Sequence, residues 1–415
     1  MNQPVTFVPS AVVDRYTDSQ GREVVKLRGR EAACDVGNTE GKFIFGPERR
    51  SIVIPNVVAE MDFKDTLERE QNVLEALRVK VESPALKREW GTMAVGILAA
   101  RQKNRKEIPF GSVKAEEDQA VILLLTGLAV DAVYNFSVKN GVCYATYCLS
   151  TGLPISEYRD KELKKQFRKK LTDGIHTVKF LETADPHNGV EVRIQIFDVK
   201  IISEGQAAHL ELTTDEYGRY KPMPRTDGTY LIFDDGGGTL DLAVMLEGGK
   251  PDNERSEGYD MGINEVLDAI NKEIYDEYKE TFESRKKLSE HILKSRQKDP
   301  KKVDPFLVKG KERPIQEIID KHFKAYAEQI YRAMAEKWRE VSGCQAAYFV
   351  GGASALIRPY LAELNGGEGE DGEYVIFFVE PNKSFWVLAE AYYKIGRAHR
   401  ANNKKRKIEL LPPSF

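Results

Sequence analysis

The residues whose types and spacing suit chemistry lie in LIFDDGGGTLDLAV, at 231–244. An apolar run ends at Asp234, then come Gly236, Gly237 and Gly238, Thr239 closes the turn, and a second apolar run starts at Leu240. A phosphate chain needs backbone N–H groups aimed at it with no Cβ in the way, and glycine meets both needs. It also needs a divalent cation, which prefers carboxylate and water oxygens. Three glycines in a row weaken an ordinary hairpin, so this turn has a reason beyond chain reversal.

An earlier turn, CDVGNTEGKF at 34–43, offers the same chemistry. Asp35 ends a strand-like run, Gly37, Asn38 and Thr39 form the turn, and Lys42 follows as a point charge for a phosphate oxygen. A third glycine turn, YFVGGASALI at 348–357, sets Gly351, Gly352 and Ala353 between a strand and a helix start. Asp35 and Asp234, at the ends of separate strands, would put one carboxylate on each side of a cleft. Hydrolysis of a triphosphate held there needs a positioned water and electrostatic stabilisation. No G-x-x-x-x-G-K-[ST] loop occurs, and the run at 236–238 does not complete G-x-G-x-x-G. A strand pattern, not a helix, follows that run, which argues against a dinucleotide fold.

The elements needed to position these turns can be read from periodicity. Residues 1–30 read as a strand-rich lead-in with a turn at Ser19-Gln20-Gly21, and 31–60 as a β-meander. Apolar spacing near 3.6 makes 65–82 helix or irregular surface. A strand running into a helix is predicted at 88–102, a long helix at 115–136, and strands at 176–182 and 191–202. LSTGLPISEYRDKELKKQFRKKL, 149–171, reads as a strand end, a Gly-Pro turn and a basic helix. The stretch at 231–246 is a hairpin, 258–278 a helix, and 279–340 helical and charged with a Pro/Lys-rich break near 299–313. A final strand and helix follow at 374–400, and NNKKRKIELLPPSF reads as a frayed basic tail. The same acidic, glycine-rich hairpin thus occurs twice, as an old duplication would leave it.

Composition bounds the rest. With 415 residues, two domains or more are expected. Hydrophobic content of 41% and charged content of 31% fit a globular chain, and a net charge of -3 excludes a broadly electrostatic nucleic-acid binder. Cys34, Cys143, Cys148 and Cys344 show no C-x-x-C spacing, so neither zinc nor a disulfide framework is expected. No signal-peptide pattern opens the sequence, and AVILLLTGLAV at 120–130 is too short to span a bilayer. The expected location is the cytoplasm.

Taken together, CDVGNTEGKF, LIFDDGGGTLD and YFVGGASALI, in that order, resemble the two phosphate loops and adenosine loop of the actin superfamily. LSTGLPISEY at 149–158 and FFVEPNKSFWVLAEAYYKIG at 377–396 are similar to segments of its plasmid-segregation branch, the ParM/StbA-like ATPases. The resemblance implies an α/β fold of duplicated, ribonuclease H-like domains with nucleotide in the interdomain cleft. Domain I would be 1–202 with 380–415 returning to it, and domain II 203–379. It implies ATP and Mg²⁺, with Asp35 and Asp234 near the metal through water and GTP left open. Gly37, Asn38, Thr39, Lys42, Gly236, Gly237, Gly238, Thr239, Gly262, Gly351, Gly352 and Ala353 would contact the nucleotide. The water-orienting glutamate of the family falls on Glu204 in IISEGQAAHL, where Ser203 replaces the family's proline. Glu204 and Asp234 are thus the catalytic candidates, while Asp235 takes a position that is usually apolar.

The resemblance also implies self-assembly into filaments, a ParR-like adaptor bound to centromere-like DNA, and indirect contact with plasmid DNA. The runner-up is a small-molecule kinase on the same fold, for which no base beside a substrate hydroxyl stands out. A chaperone would need a further substrate domain. A membrane-linked actin would need a terminal amphipathic helix, and LLPPSF is short and broken by prolines.

Overall fold

The computed structural model describes residues 11–61, 71–109, 111–221, 223–297 and 299–413. Two mixed sheets carry the molecule. The larger runs in the order Arg50–Pro55, Glu40–Phe45, Arg30–Val36, Val142–Leu153, Glu191–Ser203, His176–Phe180, Arg78–Glu82, Met93–Val95, Val57–Glu60, Lys106–Glu107. Val142–Leu153 lies parallel to both Arg30–Val36 and Glu191–Ser203, so the ends of these three strands point the same way. Helix Asp118–Asn135 packs on this sheet. It is buried on nearly every side, which is why its apolar residues show no stripe.

The second sheet runs Lys250–Tyr259, Leu240–Leu246, Thr229–Asp235, Cys344–Val350, Ile376–Phe378. Side chains alternate across it. Leu231 and Phe233 face a core shared with helices Ile263–Tyr278, Gln316–Glu340 and Ser354–Asn365. Tyr230 and Ile232 face the other way, with Ala208 of helix Glu204–Thr213 and Val387 of helix Pro381–Asn402. Those last two helices sit between the sheets, and Ala389, Ala391 and Tyr392 of the second also pack with Ala33 and Ile44 of the first sheet. The α/β architecture expected from the sequence is the one observed.

Several local expectations are corrected. The helix expected at 258–278 starts only at Ile263, and Lys250–Tyr259 is an edge strand. KPDNERSEGY lacks apolar alternation, and pairing with Leu240–Leu246 makes the strand. The break near 299–313 holds a small hairpin, Phe306–Val308 with Lys311–Arg313. Arg78–Glu82 is a strand rather than helix, paired on both sides, while the 65–70 part of that expectation lies outside the described residues. The tail is not frayed: Arg406–Leu411 pairs in parallel with Glu23–Arg28, which pairs with Val12–Thr17. Buried Ile408 closes this third sheet against Leu27 and Cys148. Among the described residues no helix is long and apolar enough to cross a membrane.

Candidate functional site

Strand parity explains the two adjacent aspartates. Asp234 shares the face of Tyr230 and Ile232, so its side chain turns toward the space between the sheets. Asp235 turns the opposite way, where its Oδ1 accepts a hydrogen bond from Tyr326 at 2.7 Å. It therefore does not line the cleft. The hairpin register places Asp241 directly opposite Asp234. From the other sheet, Asp35 sits near the end of Arg30–Val36. Asp35, Asp234 and Asp241 all line one cavity of about 320 Å³.

The two acidic turns meet across that cavity. Thr39 Oγ1 donates to Asn264 Oδ1 at 3.0 Å. Asn264 N in turn donates to Gly237 O at 2.9 Å, and Ile263 N to Gly236 O at 3.3 Å, which starts helix Ile263–Tyr278 on the glycine turn. A Cβ on Gly238 would overlap the Asn38 amide, and one on Gly262 would overlap the backbone at 237–238. On the first turn, Asn56 Nδ2 donates to Gly37 O at 2.8 Å. Thr239 donates its hydroxyl proton to Asp241 at 3.2 Å.

Charges are concentrated at this end. Lys42 donates to Asp35 at 3.3 Å and lies 4.6 Å from the centre of the Phe385 ring. Burial opposes its charge, but Asp35 and Glu40 overcome this and raise its pKa. Glu204 is the first residue of its helix and is buried, not a surface carboxylate. Its Oε1 accepts from Lys114 Nζ at 2.8 Å. Burial works against the Lys114 charge, yet Glu204 and then Asp35 push its pKa up. Asp234 is held well above the usual carboxylate range, first by burial and then by the charges of Glu204, Asp241 and Asp35. Asp241 moves the same way, by burial and then Glu204.

That surplus of negative charge tests whether Mg²⁺ fits. Among the described residues no group of three or more His, Cys, Asp or Glu is spaced to ligate a metal directly. Asp35 and Asp234, both buried and both lining the cavity, nonetheless suit a cation held through water.

Apolar side chains also line the cavity, among them Ile263, Leu267, Leu293 and Leu356. Gly351 and Gly352 border it with Ala353, whose N donates to Asp235 O at 3.2 Å. Gly351 has φ +90°, and a Cβ there would overlap Asp235 O. Ser354 and Ser384 both donate to Gly351 O, at 2.8 and 2.9 Å. Every predicted site residue lines this cavity except Gly262, which packs behind Gly237.

Asp241, Glu157 and Lys114 line the cavity too, though the sequence reading does not place them there. Asp241 was legible, because a hairpin turning at 236–239 sets it opposite Asp234. Glu157 lies within LSTGLPISEY and accepts from the backbone of Lys114 and Ala115. Lys114, in an unremarkable loop, carries no sequence signal at all.

With this geometry in hand, comparisons place the chain. A family model of the N-terminal domain of actin-like proteins matches residues 33–206, and one of the Alp7A C-terminal domain matches 229–378. No curated protein sequence matches. Among solved structures, Bacillus thuringiensis ParM with ATP is 22% identical, with TM-score 0.67 over 90% of this chain and 100% of that one. Ta0583, an archaeal actin homolog, is 17% identical, with TM-score 0.63 over 88% and 98%. A pCBH ParM non-polymerisable quadruple mutant is also 17% identical, with TM-score 0.64 over 89% and 99%. At these identities the structures speak for the fold alone. The two family models match separate stretches that together take in most of the chain, and the chain belongs to the actin-like proteins.

Proposed function

We propose that this protein is an ATPase that assembles into filaments with Mg-ATP and moves plasmid DNA, hydrolysis destabilising the polymer. One observation carries the reading. Two glycine turns from different sheets meet over buried carboxylates in a cavity that apolar side chains also line. Such a lining suits a ligand with both phosphates and a base. The family, and the similar ParM structures solved with ATP and as a non-polymerisable mutant, support it. The domains are 1–202 with 380–415, and 203–379.

The turns at 37–39 and 236–238 would cradle the phosphates with backbone N–H groups. Mg²⁺, held through water by Asp35 and Asp234, would supply charge neutralisation at the phosphates. Glu204 orients the attacking water by accepting its hydrogen bond. As the water oxygen bonds to the γ-phosphorus, the bond to the β–γ bridging oxygen breaks, its electron pair leaves on ADP, and the water's proton passes to a γ-phosphate oxygen. Closure of the cleft on ATP would favour assembly, and loss of the γ-phosphate would release it. An adaptor bound to centromere-like DNA would link filament to plasmid in the cytoplasm.

Light scattering and pelleting with Mg-ATP test assembly at micromolar protein over a range of salts, and absence of polymer would end the filament reading. Glu204→Ala should polymerise, release phosphate slowly and leave stable filaments. Wild-type phosphate release by that variant would remove Glu204 from the mechanism.

A further inference from the structure

We propose that Lys114 is a γ-phosphate contact and the group by which this cleft distinguishes a triphosphate from a diphosphate. The inference rests on the ATP reading above. Lys114 opens a short 3-10 turn, Lys114–Glu116, rooted by two backbone bonds: Lys114 N and Ala115 N donate to Glu157 at 2.8 and 3.0 Å. Glu157 belongs to helix Ile155–Arg159, whose first N–H donates to Asp241 at 2.8 Å. A flexible side chain is thus anchored at its base to both walls of the cavity.

Its ammonium reaches Glu204 at 2.8 Å, and both side chains are under a tenth exposed, at 8% and 9%. An ammonium has three N–H donors. Among the described residues Glu204 is the side chain Lys114 donates to, which leaves donors for a second acceptor in the cavity it lines. Lys42, a second lysine lining the cavity, is held by Asp35 at 3.3 Å. Lys42 thus serves the first turn, and Lys114 stands beside the carboxylate that orients water. A γ-phosphate offers oxygens to Lys114 at that place, and a diphosphate does not. The same ammonium keeps the Glu204 carboxylate beside the γ-phosphorus, and charge-assisted bonds of this kind are strong when buried.

The test compares binding of AMPPNP and ADP, each with Mg²⁺, by calorimetry on wild type, Lys114→Met, Lys114→Arg and Glu204→Gln. Lys114→Met should weaken AMPPNP by about tenfold or more while ADP changes by less than about threefold. Single-turnover phosphate release should slow in the same variant, and Lys114→Arg should recover part of the AMPPNP affinity. Glu204→Gln keeps Lys114 and should keep the preference for AMPPNP over ADP. Equal losses for both nucleotides, no loss, or a Glu204→Gln variant without the preference would overturn the assignment. A wild-type protein that binds neither nucleotide would overturn the ATP reading itself, and Lys114 with it.

Discussion

The Tyr326 hydroxyl donates to Asp235 at 2.7 Å, beneath the second glycine turn and on the far side of the sheet from the cleft. The other Asp235 oxygen is buried with no partner among the described residues. Burial pushes this carboxyl up to about 7, against an ordinary value of 3.8. A raised folded-state pKa means that stability is fully present below the ordinary value and is lost as pH rises through 7. The shift sets a scale on the order of 4 kcal/mol. Urea melts should show wild type weakening between pH 4 and 7, and Asp235→Asn flattening that slope while gaining stability at pH 8. Parallel pH profiles for the two proteins would refute the assignment.

The mouth of the cleft is bridged by ion pairs. Arg285 reaches Glu107 at 3.0 Å and Lys286 reaches Glu40 at 3.2 Å, both crossing from helix Arg285–Arg296 to the first sheet. Ser289, Glu290 and Leu293 of the same helix line the cavity, so closure and occupancy share one element. Arg285→Glu should speed release of a fluorescent ATP analogue by about tenfold, the effect of losing a partly buried pair worth about 1–2 kcal/mol. Glu107→Arg, which leaves the Arg285 bonds to Asp268 in place, should speed release likewise. An off-rate unmoved by either single change would count against a closing role.

Gly238 lies where the two turns touch, and a side chain there would displace Asn38. Gly238→Ala should therefore keep its circular-dichroism spectrum yet lose affinity for Mg-ATP by about tenfold or more, since about 1.4 kcal/mol of lost contact suffices for that. Unaltered affinity would show that the turns need not meet.

The third sheet ties both ends of the described chain together through buried Ile408. Ile408→Ala should cost about 2 kcal/mol in chemical denaturation, at the low end for a core residue because the site lies near the surface. A change below about 0.5 kcal/mol, the range of ordinary surface substitutions, would mean that the tail adds no stability.

Local chemistry alone determined a good part of this protein. The glycine run after Asp234, and Gly37 in the turn after Asp35, announced phosphate turns because glycine bares the backbone N–H groups. Strict alternation in Thr229–Asp235 fixed which residues share a face, so the opposite fates of Asp234 and Asp235 follow from parity. What the tertiary structure decided are the long-range pairings. Lys114 meets Glu204 across 90 positions, and no periodicity encodes that contact. The polar strand Lys250–Tyr259 exists because a neighbour supplies its hydrogen bonds, and the basic tail is ordered because Glu23–Arg28 offers an edge to pair with. The turn at 231–244 thus declared its chemistry in sequence, while its partners in that chemistry were chosen by the fold.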